Sequence, residues 1–196
     1  NSIGITPRNR LAAIGTDGAV TAWNPGANNQ VSALTVSGTT VYAGGSFTAL
    51  GGSTRYRVAA VGTDGILSNW SPYVDGDVRA IAVSGTTVYL GGAFTVVEAN
   101  TRNRLAAIGT DGVLTAWDPN ADGMVMALAV SGTTIYVGGS FFSVSGVARA
   151  GLAAVDTNGA LSTWNPGRGM VFSLAVAGTN VYVGGSFSSV GSVDYL

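Results

Sequence analysis

Four tryptophans, Trp23, Trp70, Trp117 and Trp164, stand 47 residues apart. That period constrains the fold more than any other feature of the chain. Arg8, Arg55, Arg102 and Arg149 keep the same step, as do Gly18, Gly65, Gly112 and Gly159. The Gly-Gly pairs at 44–45, 91–92 and 138–139 keep it too, while the fourth, at 184–185, arrives one residue early. The loss falls after Trp164, where "WNPGRGMV" replaces the longer "WNPGANNQV". A deletion inside a strand would turn every later side chain to the other face, so this stretch reads as a loop.

Each unit holds four strand-like bursts. In the first they are "VSALTVSG" (31–38), "TTVYAGGSF" (39–47), "YRVAAVG" (56–62) and "ILSNW" (66–70). A Ser-Gly turn joins the first two. "TDG" joins the last two, and Asp-Gly predicts a two-residue hairpin turn with both residues at positive φ. In the last unit this turn reads Thr157-Asn158-Gly159, and an amide can serve the same backbone geometry. The swap marks Asp17, Asp64 and Asp111 as turn formers rather than catalytic acids. The bursts are apolar on both faces, as in sheets covered on both sides.

Four antiparallel strands in 47 residues describe a propeller blade, whose two faces pack on its neighbours. The expected fold is therefore all-β, a β-propeller of four-stranded antiparallel blades. A solenoid fits the period less well, because its repeats hold fewer or differently spaced strands. The complete units are 31–70, 78–117 and 125–164. A fourth is assembled from 171–187 and 8–23, so both termini fall in mid-blade, and pairing them would leave no open edge. Residues 1–196 are then either one domain closed by its own ends or a segment of a larger ring, with Tyr195-Leu196 starting a further third strand. Two copies sharing blades is a third arrangement. The chain lacks an initiator Met, a signal peptide and an anchor, and reads as a mature form or an excised piece.

Composition narrows the function. Charged residues are 10% of the chain, its nine basic residues are all Arg, and the net charge is −1. No basic field exists to hold a phosphate backbone, so nucleic acid is not an expected partner. Apolar residues are 46%, but they come in bursts far shorter than a membrane-spanning helix requires, so membrane insertion is not expected either. Without His or Cys, most acid–base, nucleophilic and transition-metal chemistry loses its usual residues. The strands in first position carry no acid, so the facing carboxylates of a glycosidase are missing as well. No catalytic residue, metal ligand or cofactor is assigned, and the chain reads as a non-enzyme.

"VYVGGSF", "RNRLAAI", "DGVLTAWDP" and "VMALAVSGTT" together resemble the bacterial delta-60-repeat β-propeller family, with kelch-like blades. In such blades a Gly-Gly pair closes the second strand and a Trp the fourth. The resemblance spans essentially the whole chain. It implies a secreted or surface-associated propeller, without one defined activity.

Residues that differ between units carry the functional reading. The pairs Arg8/Arg10, Arg55/Arg57 and Arg102/Arg104 would form an anion-gripping ring only if complete. Arg149 is followed by Gly151 instead, which favours carbonyl bonding or stacking on Trp. The tryptophans read as packing residues rather than sugar platforms. The loops before each first strand do vary, and they should share a face with the loops joining strands two and three. They supply Tyr73, Asp75, Asp77 and Arg79 in one unit, Asp118 and Asp122 in the next, and Arg168 in the last. Glu98, the only Glu, lies in "VVEANT". The position Ser32/Arg79/Met126/Phe172 changes character in every unit, as a residue at a channel mouth would. Tyr73, Asp75, Asp77, Arg79, Glu98, Asp122 and Arg168 are thus the candidate ligand-binding residues. The expected role is an extracellular or cell-surface binding or scaffold module, holding a protein or glycan at this loop face. The alternative is a structural subunit of an extracellular homo-oligomeric or filamentous assembly, with copies of itself as partner.

Overall fold

A computed structural model describes residues 2–3, 6–167 and 169–191. Among the described residues the chain is all β, with no helix. Three sheets repeat one plan. Sheet I holds Val31–Ser37, Thr40–Gly45 and Val58–Gly62; sheet II holds Val78–Ser84, Thr87–Gly92 and Leu105–Gly109; sheet III holds Val125–Ser131, Thr134–Gly139 and Leu152–Asp156. In each the second strand lies between the first and third, all antiparallel. Among the described residues sheet IV holds Met170–Ala177 and Asn180–Ser186 alone.

The fourth burst is shorter than the sequence predicts. It reaches the third strand only through single bridges, Val61↔Leu67, Ile108↔Leu114 and Val155↔Leu161. The Ser68 hydroxyl then accepts the Trp70 N–H, which turns the chain away from the ladder before Pro72 can enter it. Two-residue hairpins that the sequence reading treats as loops fill the space between second and third strands. An example is Ala49–Leu50 with Ser53–Thr54. Bridges Ala27↔Leu50, Val74↔Val97 and Ala121↔Val144 tie these hairpins to the loop before each first strand. The two loop sets therefore share one edge, as expected.

The turns also refine the sequence reading. At Asp64-Gly65 only the glycine is left-handed (φ 88°). Gly62 C=O accepts the Gly65 N–H, and Gly62 N–H reaches Ile66 C=O, so this is a type I turn with a glycine bulge rather than a two-residue turn. Asp64 Oδ1 accepts the Ile66 N–H at 2.9 Å. In the last unit Asn158 does not take over that bond. Asp156, two residues earlier, accepts the N–H groups of Asn158 and Ala160 instead.

Each Gly-Gly pair has two separate reasons. A Cβ on Gly45 would clash with Gln30 O, across a bulge where Val31 and Ala33 pair successive residues of the facing strand. A Cβ on Gly44 would meet Val78 and Ile81 of sheet II at 2.7 and 2.8 Å. Gly91 faces Val125 and Leu128 in the same way, and Gly138 faces Val171 and Leu174. The first glycine thus sets the approach of one sheet to the next, and the second permits the bulge.

The first strands pack in a row: 31–37 on 78–84, on 125–131, on 170–177. Buried cores fill the spaces between sheets I and II, around Phe94, and between II and III, around Phe141, while a third, around Phe47, packs Leu11, Trp23 and Ala27 on sheet I. No comparable packing joins 31–37 to 170–177, so the row is open. The pairing of the chain's two end segments allowed by the sequence is not made: Asn180–Ser186 has one ladder partner, and residues 10–20 contribute a single bridge, Ile14↔Val20. The row holds its ends apart, so neither segment meets the other's free edge. The tail Tyr195-Leu196 lies outside the described residues.

Candidate functional site

The arginines that recur every 47 residues are structural clamps. Arg55 donates to Thr54 O and Ser68 O, Arg102 to Thr101 O and Thr115 O, and Arg149 to Ala148 O and Ser162 O. Each thereby fastens the hairpin edge to the short fourth strand, whose carbonyls lack a ladder partner. The second arginines, Arg10, Arg57 and Arg104, sit at φ values of 65°, 68° and 63°. Gly151 occupies the same position at 76°. A left-handed backbone, which glycine adopts without strain, explains why the fourth arginine is absent there.

The tryptophans staple sheets together. The indole N–H of Trp23 donates to Gly62 O, that of Trp70 to Gly109 O and that of Trp117 to Asp156 O, each at 2.8–2.9 Å. Tyr42, Tyr89 and Tyr136 stand edge-on to Trp70, Trp117 and Trp164, with ring centroids 5.1–5.2 Å apart. Packing of this kind accounts for the recurrence of both aromatics.

At the loop edge the carboxylates are committed to backbone. Asp75 accepts the N–H groups of Thr95 and Val96 and the Thr95 hydroxyl at 2.7–2.9 Å. Asp122 accepts those of Phe142 and Ser143. Asn28 accepts the N–H groups of Thr48 and Ala49, so this brace recurs in three units. Burial works to raise the Asp75 carboxyl, but the bonds from Val96 and Thr95 outweigh it and hold the group below the usual carboxylate range. Burial is likewise outweighed at Asp122, by Ser143 and Phe142. Asp118 lies 3.6 Å from Arg102.

The remaining candidates gather where sheets I and II meet. Tyr73 and Tyr56 are exposed and stand edge-to-face with ring centroids 5.3 Å apart. Glu98 Oε1 accepts the Tyr73 N–H at 2.6 Å, and Glu98 N–H donates to Tyr73 O. Asp77 sits between Arg79, at 3.2 Å, and Arg57, at 4.0 Å. The sequence reading missed Tyr56 and Arg57 as members of this group, because both lie at the start of a third strand rather than in the variable loop. The position 32/79/126/172 proves to be the extra residue of the bulge, skipped by the ladder between Val31 and Ala33, Val78 and Ala80, Val125 and Ala127, and Val171 and Ser173. Freedom from a cross-strand partner explains its variability. Arg168 lies outside the described residues. Among the described residues no three of His, Cys, Asp and Glu gather at metal-binding distance, and no helix is long and apolar enough to cross a membrane.

No family model and no curated protein matches the chain. Among solved structures, the computationally designed Ika8 protein is similar at 17% identity and a TM-score of 0.40, over 89% of this chain and 74% of that one.

Proposed function

We propose that the chain is a non-enzymatic β-propeller-type module of the cell exterior or surface, built as in the delta-60-repeat family. Its work is to hold a rigid loop edge to a protein or glycan. The observation that carries this reading is the contrast between a repeated frame, its loop-edge brace included, and one group of exposed side chains on that edge that no other unit repeats. Tyr56, Tyr73, Asp77, Arg79 and Glu98 meet there, and two exposed aromatic rings with a polar fringe are the usual makings of a recognition surface. An array of immobilised glycans and peptides, probed with the intact chain and with Tyr73→Ala, tests it. Retained ligands that the variant loses support the reading; ligands held equally by both place recognition elsewhere.

A second reading, a structural subunit that assembles with copies of itself, is favoured by a separate observation. The outward faces of sheets I and IV are not fully covered, with Leu34 and Val36 exposed beside the Leu11–Trp23 packing on one and Tyr182 exposed on the other.

A further inference from the structure

The first two junctions between adjacent sheets are built from the same contacts, the third repeats their Tyr–Trp pair and glycine seat without the indole bond among the described residues, and each end of the row carries one half of a further one. At the first junction Tyr42 is 5% exposed, packed in one core with Ala60, Trp70, Ile81 and Val88. At the second, Tyr89 is 3% exposed in the corresponding core with Ala107, Trp117 and Ile135. One repeat earlier, Ala13, Trp23, Leu34, Val36 and Val41 line an apolar hollow of about 250 Å³ with no tyrosine in it. Leu34 and Val36 are 53% and 62% exposed there. At the far end Tyr182, the fourth tyrosine of the series, is 58% exposed.

The glycine contacts tell the same story. Gly44, Gly91 and Gly138 each face a Val and a larger aliphatic residue of the following sheet, whereas a Cβ on Gly184 would meet only Ser173 of its own sheet. Val31 and Leu34 occupy the places of those aliphatic residues in sheet I, and among the described residues no glycine of another sheet faces them. Trp164 is the fourth staple, and its indole N–H has no acceptor among the described residues. Gly15 stands one repeat before Gly62, the acceptor of Trp23.

We infer that sheet IV of one copy docks on sheet I of a second copy. Tyr182 enters the hollow beside Trp23, Gly184 takes Val31 and Leu34, and the edge strand Asn180–Ser186 gains residues 11–15 of the other chain as its third strand. The inference rests on the assembly reading above. It names a head-to-tail interface, which must either close or grow into a filament. Each chain contributes four sheets once its ends are paired, so two copies close at eight, the upper end of the range propellers use.

Light scattering of the 196-residue chain should give a particle of two chains. Val36→Arg and Tyr182→Ala change residues already exposed in the single chain, and each should reduce the particle to one chain with its strand circular dichroism intact. Ile66→Ser, an exposed apolar residue on a turn, should change nothing. The chain has no cysteine, so crosslinking can be read cleanly. A Cβ on Gly91 would lie 3.2 Å from Val125 Cβ, close to disulfide range. Oxidising a mixture of Gly184→Cys and Val31→Cys chains should therefore yield a two-chain product. A particle that stays at two chains in both interface variants overturns the proposed interface and leaves the assembly reading standing. A one-chain parent particle overturns both. A doubly substituted chain that crosslinks within itself shows that the row closes on its own ends, and overturns the inference.

Discussion

At the scale of single residues, the backbone conformation is more informative than side-chain identity. The hairpin tips Gly51-Gly52, Glu98-Ala99 and Ser145-Gly146 all take two successive left-handed residues. Only the middle unit does so without a glycine, with φ of 48° and 60°. Such a conformation costs a non-glycine residue about 1 kcal/mol or more. Ala99→Gly should accordingly raise the unfolding free energy by about 0.5–1 kcal/mol, after the added entropy of the unfolded chain, read as a higher urea midpoint at unchanged m. The other two units show that the fold accepts glycine there. Arg10, Arg57 and Arg104 are a parallel case. Their sequence pattern already points away from an anion grip, because Gly151 breaks it, but only the φ values show why glycine can take the same place.

At the scale of elements, the sheet-to-sheet distance is set by the first glycine of each pair. Gly91 has an ordinary extended backbone, so Gly91→Ala is penalised by crowding: the new Cβ would stand 2.5 Å from Val125 Cγ1. The expected loss is about 1–3 kcal/mol. It should shrink when Val125 is also Ala, and a double-mutant cycle measured by denaturant unfolding checks this coupling. Equal losses in both backgrounds would move the cause away from the junction. The strands themselves were legible in the sequence, because period-two packing, Gly-Gly pairs and turn residues recur in every unit. The two-residue hairpins and the shortened fourth strand were not. Both depend on which backbone groups find partners across the sheet, and that is settled by bridges such as Val74↔Val97 rather than by local composition. The candidate site was legible as a region. Tyr56 and Arg57 joined it only because a third strand of one sheet begins beside the loop of the next.

At the scale of the whole molecule, the row behaves as a one-dimensional array in which each sheet leans only on its neighbours. Sheets II and III are covered on both faces, while the outer face of sheet I is covered only in part, by Leu11 and Trp23, and that of sheet IV exposes Tyr182. In the Val36→Arg chain, amide exchange should be slowest across 78–109 and 125–156 and fastest across 170–186 and residues 10–20. Uniform protection along the row would mean that the sheets unfold together rather than from the ends.

The indole staples run in one direction only, each Trp reaching forward to a carbonyl 39 residues later. A growing chain that emerges N-terminus first thus presents every staple before its acceptor exists. Each newly made sheet locks the one before it, and the order of synthesis becomes the order of assembly. A gene for such a protein can gain or lose 47 residues by duplication or excision, and the same latch closes at the new boundary.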